Sequence, residues 1–82
     1  MALFLVSYDL DKPGQNYDAL VAALKNQGAK HVLYSAWALR TTSTSVQVRD
    51  WIKQYIDAND RILVTDLTNW ASWNVMTDIN QI

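Results

Sequence analysis

Asp9 is the first residue of the chain to which chemistry can be assigned, because of the stretch that leads up to it. Residues 3 to 9 read Leu-Phe-Leu-Val-Ser-Tyr-Asp, an aliphatic and aromatic run that ends on a carboxylate. The C-terminal lip of a strand is where an α/β sheet presents its ligands. Mg²⁺ or Mn²⁺ is held by one or two carboxylates together with waters and phosphate oxygens. Asp9 is therefore the candidate catalytic and metal-binding residue. Asp11, two residues on, offers a second carboxylate if the chain stays extended. The structural alternative is that Asp9 closes the strand and hydrogen-bonds its own turn.

Four further residues are candidate nucleic-acid contacts: Tyr8, Ser35, Trp37 and Arg40. A serine in a kink can meet a phosphate, and a tryptophan can stack on a base. Equally, such a serine caps a backbone group and a strand tryptophan is core. His31, beside Lys30, can touch an anion or stand as a partly exposed histidine. Arg49 and Lys53 lie four apart, but Asp50 and Asp57 interrupt them, as on a solvated helix face.

The inventory narrows the mechanisms. All eight acids are aspartates, His31 is the one histidine, and cysteine is absent. That excludes a glutamate base, a two-histidine mechanism within one subunit, thiolate catalysis and cysteine-held zinc. Two glycines cannot build a glycine-rich phosphate cradle, and a net charge of −1 argues against strong nonspecific nucleic-acid binding. Met1 leads straight into a strand without a basic leader, and no apolar run approaches the ~18 residues that span a bilayer. A cytoplasmic protein with no membrane partner is expected.

The elements that must position these residues follow from periodicity. In strand one, Leu3 and Leu5 point one way and Phe4, Val6 and Tyr8 the other, so both faces are apolar and want cover. Asp11 to Gly14 forms a turn. Tyr17, Leu20, Val21 and Leu24 then make a helical stripe, with Asn16 as N-cap, Asp18 in the first turn and Gly28 at the left-handed end. His31 to Arg40 is β-prone, and periodicity leaves open one long strand or two short ones. Thr44 and Gln47 spell a capping box ahead of the stripe Val48, Trp51, Ile52, Tyr55 and Ile56, which Asn59 can end in the left-handed conformation. Arg61 to Thr68 reads as the last strand. Leu67, Trp70 and Trp73, spaced by three, suggest a short amphipathic helix in the tail, residues 69–82.

The order β-α-β(β)-α-β predicts a single α+β domain over 1–82, a ferredoxin-like βαββαβ sandwich with its core over about 2–68 and a short C-terminal tail. Both helices then cover one sheet face, and a second subunit or the tail must cover the other.

Val6-Ser7-Tyr8-Asp9-Leu10 resembles the strand-one signature of the small CRISPR-associated adaptation nucleases, the Cas-two family. Val32-Leu33-Tyr34-Ser35-Ala36-Trp37 is similar to that family's second segment, and the virulence-associated protein D toxins share the fold. A closer likeness is to a set of small bacterial and phage proteins, through Tyr8 to Leu20, Arg49-Asp50 and Asn59 to Arg61. The resemblance covers residues 2 to about 68. It implies a split of His31 to Arg40 into two strands around Ser35. It also implies a homodimer whose two Asp9 carboxylates share Mg²⁺ or Mn²⁺ for phosphodiester hydrolysis of RNA or DNA. The chain departs from the family in lacking a final strand exchanged between subunits and in its weak acidity.

Two functions stand side by side at this point. One is a dimeric protein of the Cas-two-like type that cleaves or only binds nucleic acid. The other is a noncatalytic module that binds a protein partner or assembles through its exposed sheet face and tryptophan-containing tail; four tryptophans in 82 residues are its support.

Overall fold

Strand β1, Ala2–Asp9, is flanked on both sides and covered on both faces. The computed structural model describes residues 1–10 and 17–82; the turn at Asp11 to Gly14, Asp11 as a ligand and Asn16 as a cap lie outside them. The remaining elements are α1 (Asp18–Asn26), β2 (Lys30–Leu33), β3 (Ala36–Thr41), α2 (Ser45–Ile52) with a 3₁₀ turn at Lys53–Tyr55, β4 (Arg61–Asp66) and a 3₁₀ turn at Ile79–Gln81. The four strands form one antiparallel sheet in the order β2-β3-β1-β4. The protein is thus an α+β fold with a four-stranded antiparallel sheet and two helices, an arrangement compatible with a ferredoxin-like sandwich.

Local chemistry accounts for the boundaries. Gly28 takes φ +80°, and beyond α1 its amide donates to the Lys25 carbonyl while that of Ala29 donates to Leu24, both at 3.0 Å. This pair of bonds is the Schellman motif, which satisfies carbonyls the helix leaves open. Thr44 starts α2 with the full capping box: Gln47 N donates to Thr44 Oγ1 at 3.1 Å, and Thr44 N to Gln47 Oε1 at 2.9 Å. The β-prone run 31–40 is two strands, with Tyr34 and Ser35 as the turn. Asn59 does not end α2. That helix tightens into the 3₁₀ turn after Ile52, and among the described non-glycine residues only Asn74 has a left-handed φ, 57°.

The sheet is a two-sided core. On one face Phe4, Val6, Trp37 and Leu39 pack against Leu20 and Leu24 of α1 and Val48 and Ile52 of α2. Trp51 is only half-buried, packing at the rim of this cluster edge-on to Tyr55. On the other face Leu3, Val32, Ala36 and Ala38 pack with Ile79, and Leu5, Leu67, Trp70 and Ile82 adjoin them. The tail is therefore the cover that the second face needs, and it does this without the amphipathic helix expected from its spacing. Trp70 joins the core while Trp73 is 90 % exposed, so the two share no face. The Met76 amide donates to the Val32 carbonyl at 2.9 Å, a bond to a strand edge in place of one along a helix.

Ile79→Ala should cost about 2–4 kcal/mol, since it empties a site in this second core. Trp73→Ala should stay within about 0.5 kcal/mol. Chemical denaturation of the two variants checks the ranking; equal effects would show that the tail does not pack as described.

Candidate functional site

The C-terminal end of β1 gathers most of the candidate residues. The Tyr8 amide donates to the Ser35 carbonyl at 3.0 Å, which draws the β2–β3 turn against this end of the strand. Asp9 faces Arg61 across the β1–β4 ladder, and the Arg61 guanidinium donates to Asp9 Oδ2 at 3.3 Å. Both side chains are open to water, 76 % and 81 % exposed, so the pair is a solvated one.

Beneath this end lies an aromatic stack. Trp37 is 2 % exposed, and its ring lies 4.3 Å from that of His31 with 5° between the planes. Its indole N–H donates to the Tyr8 hydroxyl at 3.2 Å. His31 Nε2 is 2.9 Å from the Tyr34 carbonyl, which only accepts, so Nε2 carries the hydrogen in this contact. Tyr8 and Trp37 thus serve the core, and the buried indole offers no face to a base. Ser35 contributes its backbone.

Arg40 is at the other end of the sheet. It pairs in register with Leu3, six residues before Asp9, or about 20 Å away at strand rise. Its Nε and a terminal nitrogen donate to the Ile82 backbone oxygen at 2.9 and 2.6 Å, fastening the tail. The sequence groups Arg40 with Tyr8, Ser35 and Trp37 as nucleic-acid contacts; the structure separates it from them and gives it a bracing role.

A divalent cation needs more oxygen ligands than Asp9 supplies. Among the described residues no three His, Cys, Asp or Glu side chains come together as a metal-binding group. A shallow groove shares Arg61 with the Asp9–Arg61 pair and is lined also by Arg49, Lys53, Ile56, Asp57 and Asp60. Arg49 is held by Asp50 at 2.9 Å. The Tyr17 hydroxyl lies 3.1 and 3.2 Å from the two Asp60 carboxylate oxygens, and the Asp57 amide donates to Asp60 at 2.8 Å, linking the start of α1 to the approach to β4. Sequence reasoning missed these links. The Asp9–Arg61 pair becomes visible once the register is known, whereas the 43-residue separation of Tyr17 and Asp60 leaves no local signal.

Compared with protein-family models and with solved structures, the chain matches none. No helix among the described residues is long and apolar enough to cross a membrane.

Asp9→Asn should change stability by no more than about 0.5 kcal/mol, because both partners of the pair are solvated. Trp37→Ala should cost about 3–5 kcal/mol and dismantle the stack. Thermal melts of both variants check this, and a large loss for Asp9→Asn would show that the carboxylate carries a structural load.

Proposed function

We propose that the chain is a ferredoxin-like module that works by binding and assembly rather than by hydrolysis, a catalytically silent relative of the Cas-two-like families it resembles. One observation carries this reading: Tyr8, Trp37 and Arg40 are engaged within the fold and Asp9 is a solvated ion pair, while large apolar side chains stand in water. Trp37 is buried, Tyr8 accepts its indole N–H, Arg40 holds the tail and Asp9 meets Arg61. Leu33, Tyr34, Leu63, Trp73 and Met76 are all exposed. Scattered apolar residues are ordinary on a surface, but this many in so short a chain support a contact role.

A second reading, divalent-metal-dependent cleavage of RNA or DNA, is favoured by the exposure of Asp9 at the lip of the central strand. It requires further ligands, from a second subunit or from Asp11. The two readings part on one experiment: melts of wild type and Asp9→Asn with and without Mg²⁺ or Mn²⁺, beside a cleavage assay on RNA and DNA. The binding module predicts no metal-dependent shift and no cleavage in either protein. A nuclease predicts that metal at 100 times its Kd stabilises the wild type by about 2.7 kcal/mol, a shift on the order of 10 °C, and that Asp9→Asn loses both this and the cleavage. That outcome would overturn the binding module.

A further inference from the structure

Three elements meet around a cleft of about 220 Å³: the end of α1, the end of β3 with the loop that follows, and α2. Its apolar lining is Leu39 and Val48, both core residues, together with Trp51. That indole is only half-buried, and Tyr55 braces it edge-on, with ring centres 5.8 Å apart and 74° between the planes. The polar lining is Gln27, Thr41, Ser43 and Gln47. Among the described residues no charged side chain lines the cleft.

Local bonds have already oriented several of these polar groups. In the capping box Gln47 Oε1 accepts from Thr44 N, which leaves Nε2 to donate. Thr41 Oγ1 accepts from Ser43 N at 3.2 Å, which leaves its O–H to donate. The Gln27 amide donates to the Ala23 and Leu24 carbonyls at 3.3 and 3.2 Å, so the residue is anchored by its backbone while its side chain stays exposed. A ligand therefore meets groups that are fixed before it arrives, which lowers the ordering cost of binding.

The lining selects the class of ligand. An ion would give up hydration here with no described countercharge to replace it. A wholly apolar ligand would strip water from amides and hydroxyls without replacing their hydrogen bonds. Both conditions are met by a small ring with C–H groups on its face and hydroxyls around its circumference. The C–H face suits the negative face of an indole. Each hydroxyl both donates and accepts, so it can meet polar groups that come from three separate elements. A nucleobase also stacks on an indole, but each atom of its edge is fixed as donor or acceptor and its face carries no C–H. The volume is below the roughly 300–1,000 Å³ of pockets for drug-sized ligands, which limits the occupant to one ring. We propose that this cleft binds a neutral monosaccharide in its pyranose form. The proposal is independent of the binding-module reading.

Nitrogen-15-labelled protein, titrated with D-glucose, D-galactose and N-acetyl-D-glucosamine, tests it, with uracil, adenine and inorganic phosphate alongside. At least one sugar should shift the Trp51 indole N–H and the Gln47 side-chain amide saturably, with a Kd on the order of 1 mM, as expected for a ligand of so few atoms. The other three compounds should leave both signals in place. Gln27→Ala, which keeps the backbone bonds at the end of α1, should weaken sugar binding roughly fivefold, the loss of one hydrogen bond. Trp73→Ala, an exposed tryptophan outside the cleft, should bind as the wild type does. Melting curves establish that both variants are folded. No response to any of the three sugars, the same shifts with uracil or adenine, or undiminished binding by Gln27→Ala would each overturn the sugar site. None of these readouts involves metal or cleavage, so this proposal and the binding-module reading fail separately.

Discussion

A strand that is apolar on both faces cannot remain half-covered in water, and the rest of this structure answers that constraint at β1. Phe4 and Val6 face the helices, while Leu3 and Leu5 face the tail. Each side chain of this size removed from water contributes about 1.5–3 kcal/mol, an upper estimate because the unfolded chain already buries part of it. In a domain of 82 residues that is a large share of a stability that totals only several kcal/mol. The tail is thus part of the core, and Arg40 reaching the Ile82 oxygen and Met76 reaching Val32 are the polar bonds that hold it in place.

The same constraint explains why Tyr8 and Trp37 do structural work and Asp9 does not. Tyr8 is an inward position on β1, so its hydroxyl meets the Trp37 indole and its amide ties in the β2–β3 turn. Asp9 follows it onto the opposite face at the sheet's end, where its cross-strand neighbour is Arg61. A lone exposed carboxylate beside a guanidinium is a solvated ion pair first. A cation at such a carboxylate takes its other ligands from waters, phosphate oxygens or a further carboxylate.

Elements with a local code were legible in the sequence. The capping box at Thr44 and Gln47, the left-handed Gly28 and the two helical stripes all act within a few residues, and the alternation of β1 announced two buried faces. The tail was misread because the spacing of Leu67, Trp70 and Trp73 matches a helix, while the actual cover uses a bond from Met76 to a strand some forty residues earlier. Arg40 illustrates the same limit. Its place beside Trp37 in the sequence suggested a shared site, but alternation puts the two on opposite faces of β3. The candidate site was legible as a position, the end of β1, and not as a set of partners, because those partners are fixed by register.

Amide hydrogen exchange tests the two-sided burial of β1 most directly. If the tail is packed on the second face, the Met76 and Leu67 amides, bonded to Val32 and Leu3, exchange slowly, with protection comparable to that of the β1 ladder, while the exposed Trp73 amide exchanges fast. Met76 and Leu67 exchanging at the rate of an unstructured peptide would contradict the account, since the second face of β1 would then be bare.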